Sequence, residues 1–136
     1  LPQGGWCPRG RRAEDGAIPP DYPLRESLVR GYADRTLRNV SEADATLILC
    51  RGGLTGGSRL TAGLALRLGK PALVVDLAGR PSVRRVLAWF REHRVSVLNV
   101  AGPRESKCPG IQDQATRFLL RVLRGLEAPG AGRRGV

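Results

Sequence analysis

Three observations predict an α/β fold built on a parallel sheet with helices on both faces. Three short apolar runs occur in the chain: "ATLILC" (Ala45–Cys50), "ALVVDL" (Ala72–Leu77) and "VSVLNV" (Val95–Val100). Each is continuous rather than alternating, the pattern of a strand buried on both sides. Each is followed by a stretch of helical periodicity, and strand–helix alternation of this kind brings the strands parallel through right-handed crossovers.

The elements follow in order. The stretch "GGWCPRGRRAEDGAIPPDYPL" holds four prolines and four glycines in 21 residues, which predicts a long loop anchored by Trp6, Ile18 and Tyr22. A helix over about Val29–Val40 is expected from Tyr32, Thr36 and Val40 at four-residue spacing. After the first strand, Ser58–Leu68 reads as a helix with Leu60, Leu64 and Leu68 along one face, stopped by Gly69. Pro81–His93 is the next helix, with Pro near its first turn and Val83, Val86, Leu87 and Phe90 as its apolar stripe. The last helix is Gly110–Leu126, with Ile111, Ala115, Phe118, Leu119, Val122 and Leu126 on one side. Residues 1–126 thus form a single domain, and 127–136, "EAPGAGRRGV", read as a disordered tail.

Composition narrows the function classes. The 136 residues suffice for one domain with its own core. No apolar run reaches the roughly 18 residues of a membrane span, and no signal peptide opens the chain, so a cytoplasmic protein without membrane contact is expected. The formal net charge is +11, and only Lys70 and Lys107 among the basic residues are lysine. Aromatics are 4% and the arginines are dispersed, which disfavours a nucleic-acid platform and favours a small anionic ligand. Cys7, Cys50 and Cys108 form no CxxC pair, and His93 is the only histidine, so neither a zinc site nor a nucleophile–histidine pair can be assembled.

In open parallel sheets ligands bind beyond the carboxyl ends of the strands. Three loops lie there: Arg51–Gly57, Ala78–Pro81 and Ala101–Gly110. In "RGGLTGGSRLT" (Arg51–Thr61), Gly53, Gly56 and Gly57 allow a close backbone approach, and the N–H groups of Gly56, Gly57 and Ser58 open a helix whose dipole favours an anion. Thr55, Ser58 and Thr61 add hydroxyls, and Arg51 or Arg59 a charge. The spacing matches neither a Walker loop nor GxGxxG. A turn capped by Ser58 is the alternative, but two glycine pairs exceed what a cap needs. In "VAGPRESKCPG", Gly102 permits a tight turn, Arg104 and Lys107 suit a phosphate or carboxylate, and Glu105 an acceptor role; a solvated charged loop is the competing reading. Asp76 stands where an acid holds a ribose hydroxyl, or caps the following loop. Asp44 falls at the opposite rim. Glu14 and Asp15 suit metal or acid–base chemistry, or pair with Arg9, Arg11 and Arg12 beside them.

Taken in order, "GGWCPRGRRAEDG", "YPLRES", "ATLILCRGGLTGGSRLT", "GKPALVVDL" and "LNVAGPRESKCPGI" resemble the molybdenum cofactor carrier-like proteins of the YpsA-like, SLOG group. The resemblance runs from Gly4 to about Leu126. It implies a Rossmann-like parallel sheet, homo-oligomers, and a non-catalytic binding or carrier role for molybdenum cofactor (molybdopterin), a phosphorylated pterin, or another phosphorylated nucleotide-like ligand. Residues 54–58 match the family's second glycine-rich motif and 102–106 its C-terminal one. The family's first strand, first glycine-rich loop and first helix have no counterpart here, so an N-terminally incomplete domain is expected. Phosphoribohydrolases of the same fold offer the alternative of N-glycosidic cleavage with Glu14, Asp15 or Glu105 as acid. Those enzymes carry a glutamate just after the glycine loop, where this chain has Arg59, Leu60 and Thr61.

Overall fold

A computed structural model describes residues 35–127, the backbone of residues 32–34 and, before them, the backbone of four two-residue strands. These are β1 (Trp6–Cys7), β2 (Arg12–Ala13), β3 (Gly16–Ala17) and β4 (Arg25–Glu26), with β1 parallel to β4 and β2 antiparallel to β3. The side chains of Cys7, Arg9, Arg11, Arg12, Glu14 and Asp15, the loop anchors Trp6, Ile18 and Tyr22, and the tail beyond Glu127 lie outside the described residues.

The alternation expected from the sequence forms the main body: α1 (Tyr32–Glu42), β5 (Ala45–Cys50), α2 (Gly56–Arg67), β6 (Ala72–Asp76), α3 (Val83–Glu92), β7 (Leu98–Ala101) and α4 (Ile111–Glu127). The three longer strands are parallel in the order β6-β5-β7. β5 is central and every one of its residues is buried, with Leu47 and Ile48 fully so. Burying such a side chain contributes about 1.5–3 kcal/mol. Successive strand residues point to opposite faces. Leu47, Leu49, Leu73 and Val75 meet Val86 and Trp89 of α3 and Phe118 and Val122 of α4 in the main apolar core. The other face carries Thr46, Ile48 and Cys50 toward α1 and α2, and α1 packs on α2 as α3 packs on α4. No helix among the described residues is long and apolar enough to cross a membrane.

Three expectations need correction. Among the described residues β6 is a sheet edge whose residues alternate between exposed and buried, and Val74 keeps 39% of its surface. Its apolar run therefore marks one covered face rather than two. α2 buries Ser58, Thr61 and Ala65, while Leu60 and Leu68 stay about two-fifths exposed and Leu66 83%. Small side chains let this helix sit close on β5, which displaces its leucines to the flanks. The third strand starts at Leu98 rather than Val95, because Asp44 Oδ2 captures the amides of Ser96 (2.9 Å) and Val97 (2.8 Å) and bends the chain before the ladder begins. Those two bonds, Val97's first, hold the Asp44 carboxyl below its usual pKa.

The helix limits are shifted by smaller amounts. α1, described from Tyr32 onward, runs to Glu42, two residues past the expected Val40. α3 begins after Ser82, whose Oγ accepts from Arg85 N–H at 3.1 Å. Trp89, buried against that helix's core face, belongs to a stripe that the spacing had given to Val83, Val86, Leu87 and Phe90. In α4, Leu126 is 42% exposed and falls off the buried stripe.

Candidate ligand-binding site

The C-terminal rim of the sheet has two sides, one on each flank of β5. On the β6 side the turn after β5 is tied down by the protein's own groups. Gly53 adopts φ +128°, a conformation that a side chain would strain, and Gly52 N–H donates to Asp76 Oδ1 at 3.0 Å. Ala78 N–H donates to the same oxygen at 2.9 Å. These two bonds, Gly52's first, keep the Asp76 carboxyl below its ordinary pKa. Arg51 completes the closure. Its guanidinium donates to Pro109 O at 2.7 Å and to Gln114 Oε1 at 2.8 and 3.0 Å, and Gln114 Nε2 donates on to Leu77 O at 2.9 Å. The ends of β5 and β6 and the start of α4 thus form one hydrogen-bonded unit.

On the β7 side a cleft of about 650 Å³ opens between the start of α2 and the loop after β7. Thr55, Gly56 and Gly57 form one wall, and Gly102, Arg104, Glu105 and Lys107 the facing one. The first amides of a helix have no partner within it. Ser58 N–H bonds to Thr55 O at 3.1 Å, which leaves the Gly56 and Gly57 N–H groups at the cleft without an acceptor among the described residues. Gly102 is required by proximity: a Cβ there would lie 2.9 Å from the Leu49 carbonyl oxygen. The loop of Arg104 and Lys107 can therefore lie close against β5. Glu105 serves that loop by accepting from Gln112 N–H at 2.9 Å and from Gly110 N–H. The Gln112 bond, then the Gly110 bond, hold its pKa below the usual carboxylate value.

Seven of the ten residues selected from the sequence, Thr55, Gly56, Gly57, Gly102, Arg104, Glu105 and Lys107, come together on this cleft. Three do not. Gly53 and Asp76 belong to the closed side, where Asp76 caps the loop, and Ser58 faces inward at 2% exposure with no partner for its Oγ among the described residues. Ser58 is not the cap of α2 either; Thr55 occupies that position. Arg51 is spent on α4, and Arg59 reaches back to Leu54 O at 3.3 Å. Cys50 is buried, its thiol pKa raised chiefly by that burial, and Cys108 packs against the main core.

Sequence reasoning missed the third wall and the floor. Arg35, Thr36 and Asn39 of α1 line the cleft, as do Leu60 of α2 and Asn99 of β7. The signal was present as polar residues where apolar ones belong: Thr36 on the inward stripe of α1 and Asn99 inside a strand.

A family model, the circularly permutated YpsA SLOG family, matches residues 1–123. The chain belongs to the circularly permuted YpsA SLOG family. Among solved structures, a "putative molybdenum carrier protein" from Syntrophus aciditrophicus SB is similar to this SLOG chain, with TM-score 0.80 and 43% identity over 88% of this chain and 77% of the other. No curated protein matches. The SLOG membership and the parallel sheet agree with the resemblance carried by the glycine loop and the "GPRESK" loop.

Proposed function

We propose that this protein is a non-catalytic binding or carrier protein for a phosphorylated pterin or nucleotide-like ligand, and most specifically for molybdenum cofactor as cargo. The observation that carries this reading is the placement of two amides without an acceptor among the described residues, Gly56 and Gly57, opposite Arg104 and Lys107 across one cleft. Helix N-terminal amides and cations together suit a phosphate. The solved structure at 43% identity, a protein whose name is that of a molybdenum carrier, supports the choice of cargo.

A holding role fits the chemistry of the cleft better than a cutting one. Glu105 is the one carboxylate on the cleft wall among the described residues, and its oxygens take two backbone amides that lower its pKa. A general acid needs a raised pKa to keep its proton near neutrality. Titration with isolated molybdenum cofactor and with nucleoside monophosphates, alongside native mass spectrometry of the freshly purified protein, tests the proposal. Saturable one-to-one binding without release of free base is expected. Absence of saturable binding by all of these ligands would overturn the reading, and release of base would replace it with hydrolysis.

A further inference from the structure

We infer that the part of the cleft away from the phosphate loops is a subsite for a planar heterocycle, with Asn99 as the residue that reads the ring edge. This deepens the ligand reading above and rests on it. The cleft, at about 650 Å³, falls within the range of pockets that enclose a whole small molecule rather than a lone phosphate. Its two loops and Arg35 of α1 supply charge, but the strand β7 at its floor does not. There Asn99 projects from the same face of the sheet as Thr46, its register partner on β5. Thr46 is fully buried, and its Oγ1 accepts from Asn99 Nδ2 at 3.3 Å. That bond fixes the carboxamide and leaves its oxygen and a second N–H for the cleft that Asn99 lines.

A carboxamide offering one donor and one acceptor complements any ring edge that presents the opposite pair, as the oxo-purines, adenine and pterins all do. The surroundings suit the faces of such a ring. Leu60, 41% exposed, stands on the cleft wall, and Ala101 lies beside Asn99 on the floor. An apolar contact above and below a ring with one amide at its edge is a common way to bind a base. A sugar phosphate would leave the Asn99 carboxamide and the Leu60 side chain without a matching group. Thr46 is then a positioning residue, acting only through Asn99.

Calorimetric titration with guanosine 5′-monophosphate and ribose 5-phosphate separates the two halves of the site. The native chain is expected to prefer the nucleotide by tenfold or more. Asn99→Leu abolishes that preference and leaves ribose 5-phosphate affinity unchanged, the latter showing that the cleft is still folded. Thr46→Val, nearly equal in volume, reduces the preference by a smaller factor with the same control. Equal affinity of the native chain for both compounds, or an undiminished preference in Asn99→Leu, overturns the subsite while leaving the phosphate reading intact. Binding of neither compound overturns the subsite, and overturns the phosphate reading as well if molybdenum cofactor also fails to bind.

Discussion

The two flanks of β5 carry similar parts and use them in opposite ways. Each has glycine amides from the segment that follows β5, an acidic side chain and an arginine. On the β6 flank these groups satisfy one another: Asp76 takes the Gly52 and Ala78 amides, and Arg51 takes Pro109 and Gln114. On the β7 flank the acid is again consumed, by Gln112 and Gly110, but the Gly56 and Gly57 amides have no acceptor among the described residues, and Arg104 and Lys107 line the same cleft. A buried polar group left unsatisfied is costly, whereas one facing a cleft is satisfied by water and available to a ligand. The difference between a structural turn and a binding loop therefore lies in the acceptors around it, not in the glycines.

Breaking the closed flank gives the largest effect. Arg51→Ala removes three hydrogen bonds from a partly buried cation and leaves Gln114 Oε1 and Pro109 O without their donor. Denaturant unfolding is expected to show a loss of about 2–3 kcal/mol. Gly102→Ala places a Cβ against the Leu49 carbonyl, and because that neighbour is backbone in the central strand it yields poorly. A loss of about 1–3 kcal/mol is expected, together with weaker ligand binding as the Arg104 loop lifts.

Changes on the open flank act on affinity instead. Lys107→Ala should weaken binding of a phosphorylated ligand about tenfold, with the melting temperature unchanged. If it lowers stability as much as Arg51→Ala does, the two flanks do not differ as described. The smallest effect is on pH dependence. Asp44, Asp76 and Glu105 all have pKa values depressed by backbone hydrogen bonds. A depressed folded pKa stabilises fully above the unfolded value, near pH 4, and the contribution disappears as pH falls through the folded values. The melting temperature should accordingly fall with acidification below about pH 4, and less steeply in Asp76→Asn.

Much of this was legible in the sequence, and the reasons it was not elsewhere are physical. The central strand β5 stood out because a residue buried on both faces must be apolar at every position, as Ala45–Cys50 nearly is. The edge strand β6 has the same composition in "ALVVD", but its neighbours, not its residues, decide that one face is open. In α2 a leucine stripe masked the real contact, since close packing on a sheet favours Ser58, Thr61 and Ala65. The two glycine-containing loops were found because they are contiguous in sequence. Arg35, Asn39 and Asn99 were not, because only the β6-β5-β7 order and the packing of α1 on α2 bring them beside those loops.

The contrast between the flanks is tested most directly by a backbone amide NMR titration with guanosine 5′-monophosphate. Saturable shifts should appear at Gly56, Gly57 and residues 102–107, while Gly52 and Ala78, already bonded to Asp76, stay in place. Saturable shifts centred on Gly52 and Ala78, with Gly56 and Gly57 unmoved, would contradict the account.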